Sequence, residues 1–331
     1  MRLAFFVNDV ATEISEYATT RLSRAASRSG HAVWYIGLGD VELVGSSGQL
    51  VARARAAEYH DGDTLESFLT AVQERAAERI VMDDLDALFL RCEAVDDLQQ
   101  RPWASPLGAV FGQMLKARGV TVVNDPISLV RATSKLYLEE FPEKIRPRSL
   151  VTRDPAAIEQ FVAQVGRSVI KPLYGAKGRN VFMVGDEAEP NLAQITEAVL
   201  QDGYALVQEF VDGGEDGDAR IFLLEGKLLE RDGQVAAFRR VPTGNDPRAN
   251  ISKGARSEPL KIGAREQGII SAMGQKLVAD GMFFVGIDVI GDKVVEINEN
   301  PGGIQSVERL YKIDVCPTII DALERRTRSK S

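Results

Sequence analysis

Residues 283–303, FFVGIDVIGDKVVEINENPGG, predict a β-hairpin followed by a Pro-Gly-Gly exit. Residues 284–290 are apolar apart from Asp288, which is typical of a buried strand. Gly291-Asp292 is a turn signal, and the β-branched stretch 293–297 then predicts the returning strand. The hairpin therefore carries one carboxylate on its first arm and further polar side chains on its second.

The register of this hairpin decides which polar side chains meet. Facing residues share one face of a sheet, and side chains alternate between faces. If the loop has three residues, 291–293, then Asp288 faces Glu296 and Gly286 faces Asn298. A two-residue loop would put the two carboxylates on opposite faces. Two adjacent carboxylates repel unless a cation lies between them, and such oxygen ligands suit Mg²⁺ bound with nucleotide phosphates. A solvated polar face on a surface hairpin is the alternative.

The overall composition limits the class of protein. A chain of 331 residues is long enough for two or three packed units, and its 44% apolar and 27% charged residues are ordinary for a globular protein. The net charge of −8 argues against a general binder of nucleic acid or anionic membrane. No apolar run is long enough for a signal peptide or a membrane span. Cys92 and Cys316 form no metal-spaced cluster, which favours a reducing, cytoplasmic location.

The first 124 residues alternate between strand and helix patterns. Strands are predicted at 3–7, 32–36, 87–90 and 120–123, and helices at 16–29, 64–79 and 108–118. This rhythm predicts a parallel α/β sheet, in which ligands bind beyond the carboxyl ends of strands. Asn8 and Asp9 follow the first strand, and Arg91 follows the strand at 87–90. These residues are candidate substrate contacts, and ordinary loop polarity explains them equally well.

A basic loop with glycines lies in the middle of the chain. Asn124-Asp125-Pro126 marks a boundary, and a helix with Lys135 in it is predicted over 126–139. Lys171 lies in a strand, where a lysine reaches solvent or meets an anion. The loop 175–180 follows, and its glycines would let backbone N–H groups approach phosphate oxygens. It matches neither the P-loop nor the dinucleotide-binding pattern, and a plain hairpin turn is the alternative.

The last third of the chain combines strands with a long polar loop. Strands are predicted at 205–211 and 234–241, with another opened by Arg220. The polar loop 242–258 contains four basic or amide residues, Arg248, Asn250, Lys253 and Arg256. Such a loop suits a lid over an anionic substrate, and a solvated surface loop is the alternative.

These segments together resemble the ATP-grasp superfamily, and within it bacterial glutathione synthetase. The matching segments, in order, are NDPISL, SKLYL, VIKPLYGAKG, LVQEFV, DGDAR, RRVPTGNDPRANISKGA and VGIDVIGDKVVEIN. The resemblance covers nearly the whole chain and is strongest from 124 to 298. It implies an α/β and α+β architecture with an ATP-grasp fold: an N-terminal parallel-sheet pre-ATP-grasp domain (1–124), a central lobe with a glycine-rich flap (125–205), and a C-terminal lobe with the metal site (206–331).

The resemblance also implies roles for particular residues. The groups expected to hold ATP, through phosphates, flap or adenine pocket, are Lys135, Lys171, Gly175, Lys177, Gly178, Gln208, Glu209, Phe210 and Val211. The expected ligands of Mg²⁺, with Mn²⁺ as an alternative metal, are Asp288, Glu296 and Asn298. The expected catalytic residues, which stabilise the transferring phosphoryl group or belong to the lid, are Arg220, Arg240, Arg248 and Asn250.

The implied reaction is ATP-dependent ligation of a carboxylate to an amine through an acyl phosphate. The expected partners are small-molecule or peptide-like acids and amines, with no nucleic acid or membrane, and the expected assembly is a homo-oligomer. Three alternatives stay open: an ATP-grasp kinase, a RimK-type amino-acid or peptide ligase with a different acid and amine, and a regulatory nucleotide binder.

The sequence departs from the glutathione synthetase pattern in several places, among them the lid, where Gly254-Ala255 replaces a double glycine, and the Gly-Ala-Lys of the flap. A Ser-Pro-containing segment after the last metal ligand is replaced by residues 299–303, ENPGG, and a basic, proline-rich segment by residues 92–97, CEAVDD. Both changes fall in substrate-binding regions, so the resemblance predicts ATP and Mg²⁺ more firmly than glutathione.

Overall fold

The computed structural model describes residues 1–97, 100–175, 180–185, 191–214, 217–242 and 256–329. Its N-terminal part contains β1 (Arg2–Val7), α1 (Ala18–Arg28), β2 (Ala32–Gly37), β3 (Val41–Val44), β4 (Gln49–Ala56), α2 (Leu65–Glu74), β5 (Glu78–Val81), β6 (Ala87–Leu90), α3 (Ala94–Asp97), α4 (Leu107–Ala117) and β7 (Thr121–Val123). The central part contains α5 (Pro126–Thr133), β8 (Ser149–Thr152), α6 (Pro155–Val165), β9 (Ser168–Pro172), β10 (Phe182–Val184), α7 (Leu192–Leu200) and β11 (Ala205–Glu209). The C-terminal part contains β12 (Asp218–Leu224), β13 (Lys227–Leu228), β14 (Glu230–Arg231), β15 (Gln234–Val235), β16 (Ala237–Val241), β17 (Arg256–Pro259), α8 (Ala264–Ala279), β18 (Phe284–Ile290), β19 (Lys293–Asn298), α9 (Ile304–Tyr311) and α10 (Cys316–Arg328).

The N-terminal sheet is mixed rather than wholly parallel. Its order is β3-β4-β2-β1-β6-β7, with β5 paired to β4. The predicted strands β1, β2, β6 and β7 are parallel to one another, whereas β4 runs antiparallel to β2, β3 and β5. The predicted helix over 64–79 was too long, because it ends at Glu74 and residues 78–81 form β5. Pairing with β4 outweighs the helical composition of that segment.

The central part forms a separate antiparallel sheet with its own apolar core. Its strand order is β10-β9-β11-β8, and α6 and α7 pack against it. Asp154 caps α6 by accepting a hydrogen bond from the Ala156 amide at 3.0 Å, as the sequence predicts. The predicted helix over 126–139 is shorter: it ends at Thr133 and continues as a 3₁₀ helix, Lys135–Glu140. Because β11 completes this sheet, we propose that the central lobe extends through Glu209.

The C-terminal sheet contains the hairpin that opens the sequence analysis. Its order is β17-β16-β12-β18-β19. Of the two loop lengths that the sequence left open, the structure has the two-residue turn, because Ile290 pairs with Lys293; Gly291 in this turn has a φ of +55°. A β-bulge restores the expected pairing: the register shifts between Asp288 and Val289 and leaves Val295 unpaired. Asp288 therefore faces Glu296, and Gly286 faces Asn298.

The N-terminal domain and the C-terminal sheet share one apolar core. α10 packs against α1, and the rings of Phe89 and Phe283 meet edge to face at 6.1 Å. The buried carboxamide of Asn124 accepts hydrogen bonds from the amides of Phe283 (2.7 Å) and Phe284 (2.9 Å), and it donates to the carbonyl of Glu299 at 2.8 Å. These contacts fix the hairpin against the N-terminal domain. None of the described helices is both long and apolar enough to cross a membrane.

Candidate active site

A cavity of about 840 Å³ lies where the three parts of the chain meet. The carboxyl ends of β1 and β6 supply one wall, in agreement with the expected position of ligands in an α/β sheet. The wall from the central and C-terminal parts contains seven of the predicted site residues: Lys135, Lys171, Gly175, Arg220, Arg240, Glu296 and Asn298. Residues predicted from distant segments of the chain therefore converge on one space.

Asp288 lies beneath this wall in a network of ion pairs. Its side chain is only 1% exposed. Arg220 donates two hydrogen bonds to it, one of them from Nη2 to Oδ2 at 3.0 Å, and Nη2 of Arg240 lies 2.7 Å from Oδ2. Burial alone would raise the pKa of Asp288, but the two guanidinium groups hold it well below its ordinary value. Asp288 is therefore ionised and already neutralised by two arginines.

Arg240 also pairs with Asp218, a residue that the sequence analysis did not identify. Both carboxylate oxygens of Asp218 accept hydrogen bonds from the Arg240 guanidinium. Burial and the nearby charge of Asp288 raise the pKa of Asp218 to about 6. Asp218 faces Arg240 across β12 and β16. In the sequence, the signal that could have identified Asp218 was its alternation with Arg220 in the DGDAR segment.

The two lysines predicted to bind phosphates differ from the arginines in how their charges are balanced. Lys171 is only 8% exposed, and its ammonium has no hydrogen-bond or ion-pair partner within the described residues. Burial lowers its pKa to about 8, against the attraction of Glu296. Lys135 donates to the carbonyl of Gly175 at 2.8 Å, and burial lowers its pKa as well. Two cations thus face the cavity with little to neutralise them, which is the arrangement expected of an anion site.

Glu296 and Asn298 are the remaining predicted metal ligands. Both line the cavity, and Asn298 donates from Nδ2 to Oδ2 of Asp288 at 3.3 Å, which leaves its amide oxygen for a ligand. Within the described ranges, no three His, Cys, Asp or Glu side chains are grouped to hold a metal ion. The predicted set has only two carboxylates and an amide, and oxygen donors of this kind fit Mg²⁺, which is bound through few protein ligands.

The residues predicted for the adenine pocket lie apart from this cavity. Gln208 is buried in β11, and among the described residues its Nε2 has no hydrogen-bond partner. Glu209 accepts from the Arg148 amide at 2.9 Å, and the guanidinium of Arg167 lies 3.9 Å above the Phe210 ring. Gln208, Glu209, Phe210 and Val211 do not line the cavity described above. Four further predicted site residues lie outside the described ranges: Lys177, Gly178, Arg248 and Asn250.

The N-terminal wall includes the candidate substrate contacts. Asn8, Asp9 and Arg91 all line the cavity. Arg91 is buried; its Nε donates to Thr19 and its Nη1 to Asn300, each at 3.3 Å. The contact with Asn300 joins this wall to the segment after the hairpin, where the sequence departs from the glutathione synthetase pattern.

Two carboxyl groups whose charges act on Arg91, those of Glu13 and Glu299, were not expected from the sequence. Burial raises the pKa of Glu13 to about 7, against the attraction of Arg91. Burial and the nearby Glu93 raise the pKa of Glu299 to about 8. Glu299 lies in the segment ENPGG, where the sequence departs from the family pattern. For Glu13, the sequence offers no signal of a role other than its position after β1.

Solved structures with the same fold come from ATP-grasp enzymes. The ATP-grasp ligase PsnB, solved with its minimal precursor, superposes with a TM-score of 0.62 at 20% identity and covers 98% of both chains. The D-cycloserine synthetase DcsG superposes with a TM-score of 0.64 at 13% identity over 98% of this chain and 99% of that one. These likenesses establish the ATP-grasp fold, as predicted.

Sequence comparison identifies the family within the ATP-grasp superfamily. The family model for the prokaryotic glutathione synthetase N-terminal domain matches residues 1–130, and that for the prokaryotic glutathione synthetase ATP-grasp domain matches residues 134–312. Glutathione synthetase of Vibrio cholerae is 29% identical over 99% of both chains, and that of Synechococcus elongatus is 30% identical over 98% of both. The fold and these relatives define an ADP-forming ATP-grasp ligase that joins a carboxylate to an amine. The chain belongs to the prokaryotic glutathione synthetase family.

Proposed function

We propose that the protein activates a peptide-like carboxylic acid as an acyl phosphate and transfers the acyl group to an amine, as a glutathione synthetase-like ligase. The observation that carries this proposal is the single cavity in which Lys135 and Lys171 face Glu296 and Asn298, with Arg91 on the opposite, N-terminal wall. Such a cavity offers one region for phosphates and another for an acid substrate.

The reaction requires charge neutralisation more than covalent chemistry from the protein. The substrate carboxylate oxygen attacks the γ-phosphorus of ATP, and the bond to ADP breaks. The amine nitrogen then attacks the acyl carbon, phosphate leaves, and the nitrogen loses a proton. Lys135 and Lys171 would bind the phosphates of ATP, and Arg220 and Arg240 would stabilise the transferring phosphoryl group. Arg248 and Asn250 remain proposed lid residues.

Mg²⁺ fits the oxygen donors of Asp288, Glu296 and Asn298, with Mn²⁺ as an alternative. When bound, Mg²⁺ would neutralise charge on the phosphates of ATP. The PsnB structure solved with Mg and ADP supports this proposal at the level of the fold. The backbone of residues 208–211 is the proposed adenine contact. A cytoplasmic location and a homo-oligomer also stay predictions, as does the three-part division of the chain.

Release of ADP and phosphate tests the proposed function. The full chain is incubated with Mg-ATP and γ-glutamylcysteine, with and without glycine, and then with a panel of other peptide-like acids and amines. We expect ADP and phosphate in equal amounts, together with an amide, only when an acid and an amine are both present. An ATP-grasp kinase would instead give ADP and an acid-stable phosphorylated product with one acceptor alone. That result, or no release with any pair, would contradict the proposal.

A further inference from the structure

A second cavity, of about 400 Å³, adjoins the first cavity, which forms the candidate active site. It lies at the carboxyl ends of β1 and β2, and β4 and α2 supply its other walls. Asn8, Asp9 and Arg101 line both cavities, so the two spaces have one wall in common. Cavities of this volume commonly hold small molecules.

The wall between the two cavities is held by hydrogen bonds. The Asn8 carboxamide donates to the Glu93 carbonyl at 2.9 Å and to Oδ2 of Asp97 at 2.6 Å, and it accepts from the Glu93 amide at 2.7 Å. Arg101 completes the group: its Nε donates to Oδ1 of Asp97 at 2.8 Å, and its Nη2 donates to the Asn8 carbonyl at 3.0 Å. A ligand in the second cavity would therefore be an additional ligand, separate from those that bind in the first.

Arg55, on β4, lines the second cavity and has donors without partners. Its half-buried side chain donates from Nη1 to the carbonyls of Gln73, at 2.8 Å, and Arg75, at the end of α2. Within the ranges that the structure describes, Nε and Nη2 have no hydrogen-bond partner and the guanidinium forms no ion pair. The edge formed by Nε and Nη2 is one through which a guanidinium binds a carboxylate with two parallel hydrogen bonds.

The charges around the second cavity favour a ligand with one negative charge. Among the described residues of its lining, three arginines accompany two aspartates. Arg53 pairs with Asp40 at 3.0 Å, and Arg101 lies 3.7 Å from Asp9, so these four charges oppose one another in pairs. The charge of Arg55 has no such counterpart. A monoanion would neutralise Arg55, whereas a doubly charged anion would also be repelled by the two aspartates.

We propose that the second cavity is a binding site for a small monocarboxylate, whose carboxylate group is received by the free edge of Arg55. The site lies outside the space assigned to ATP and the substrates, so the inference goes beyond the proposed function and does not depend on it. The carbonyls of Gln73 and Arg75 hold the Arg55 guanidinium in place before a ligand arrives. Such a preorganised guanidinium loses less side-chain entropy when it binds a carboxylate.

Nuclear magnetic resonance of the isotopically labelled full chain locates the binding. Acetate and N-acetylglycine are titrated at pH 8 and constant ionic strength, with inorganic phosphate as the doubly charged comparison. Gly37 and Gly39 line the second cavity, and Gly302 and Gly303 line the first. We expect saturable shifts of the Gly37 and Gly39 amide signals with both carboxylates, and at least about fivefold weaker binding of phosphate. Shifts confined to Gly302 and Gly303, no saturable shifts, or phosphate binding as tight as that of acetate would overturn the inference.

Two variants change the affinity in opposite directions. Arg55→Lys keeps a cation that can donate to the carbonyls at the end of α2 but lacks the bidentate edge, so acetate should bind at least about fivefold more weakly. Asp40→Asn removes a negative charge from the lining, so acetate should bind about threefold more tightly. A gain in affinity cannot result from damage to the fold, and this variant tests the site even if Arg55→Lys fails to fold.

Arg79→Met is the matched control. Arg79 is exposed on β5, faces Arg53 across β4 and β5, and does not line the second cavity. The affinity for acetate should change by less than about twofold in this variant. An unchanged affinity in both Arg55→Lys and Asp40→Asn, or an equal loss in Arg55→Lys and Arg79→Met, would overturn the inference.

These results are separate from those that test the ligase activity. A protein that binds acetate beside Gly37 and Gly39 but releases no ADP with any acid and amine supports the second site and contradicts the proposed function. A protein that ligates an acid to an amine but shows no saturable shift at these two glycines supports the function and overturns the second site.

Discussion

Two sets of cations face the same cavity, and they differ in how their charges are balanced. Arg220 and Lys171 are equally buried, at 7% and 8% exposure. Arg220 pairs with Asp288 in its own sheet, whereas the Lys171 ammonium has no such partner within the described ranges. The arginines are therefore neutralised within the ligand-free fold, whereas Lys171 is kept charged at an energetic disadvantage that an anionic ligand would relieve.

The sequence contained the reason for this difference. Asp288 faces Arg220 across β12 and β18, and Asp218 faces Arg240 across β12 and β16, so regular strand pairing brings each arginine to a carboxylate. Lys171 lies in the central sheet opposite Leu206. The opposing charge that acts most strongly on its pKa is that of Glu296, which belongs to another lobe. Because the charge of Lys171 is opposed by a carboxylate of another lobe, Lys171 is suited to bind a ligand between the two lobes.

Glu296→Gln should have the largest effect, because it removes the carboxylate that faces the unbalanced lysines and is a proposed metal ligand. We expect the rate of ADP formation to fall about a thousandfold, or ~4 kcal/mol, with the fold preserved. Steady-state ADP release and thermal unfolding measure the two effects. Glu230→Gln, at an exposed position outside the cavity, is the matched control. Wild-type turnover in Glu296→Gln would remove Glu296 from the metal site.

Arg240→Met tests the balanced set. The substitution leaves Asp218, whose side chain is 13% exposed, without its partner and removes one of two cations from Asp288, so we expect the free energy of unfolding to fall by about 3 kcal/mol. Urea unfolding measures this change. Arg239→Met, at the exposed neighbouring position, should change stability by less than about 0.5 kcal/mol. Equal stability of the two variants would show that the ion-pair network does not stabilise the fold.

Lys171→Met tests the unbalanced set. We expect kcat/KM for ATP to fall about a hundredfold, as for loss of one charged contact to a transferring phosphate. Stability should stay unchanged or rise, because the variant no longer buries an unpaired ammonium. The contrast with Arg240→Met is the decisive result: both variants lose activity, but only one loses stability. Lys227→Met, at the exposed first residue of β13, controls for the chemical change. A large loss of stability in Lys171→Met would contradict the comparison.

The sequence predicted the secondary-structure elements better than it predicted how these elements pair and pack. The pairing of Asp288 with Glu296 was predicted only for a three-residue loop. The structure reaches this pairing with a two-residue turn and a bulge at Val295, which cannot be predicted from a β-branched run. The segment 41–56 was not identified as a hairpin, since QLVARARA interrupts its apolar positions with charged arginines and with alanine, which has low strand propensity. The family resemblance supplied the phosphate and metal residues. Arg91 and Asn300 are 209 positions apart, and only the folded chain brings them together at the cavity.

The smallest predicted effect is the pH dependence that Lys171 confers on stability. Its pKa in the folded protein is about 8, below the ordinary lysine value of 10.5. Between these values the unfolded chain binds more protons than the folded chain, so the contribution of Lys171 to stability rises with pH through that window. Relative to Lys171→Met, we expect wild type to gain about 1–2 kcal/mol of unfolding free energy between pH 7.5 and 9.5. Urea unfolding of both proteins without nucleotide measures this difference. A constant difference across the window would show that the Lys171 ammonium is balanced after all, and the contrast with the arginines would then disappear.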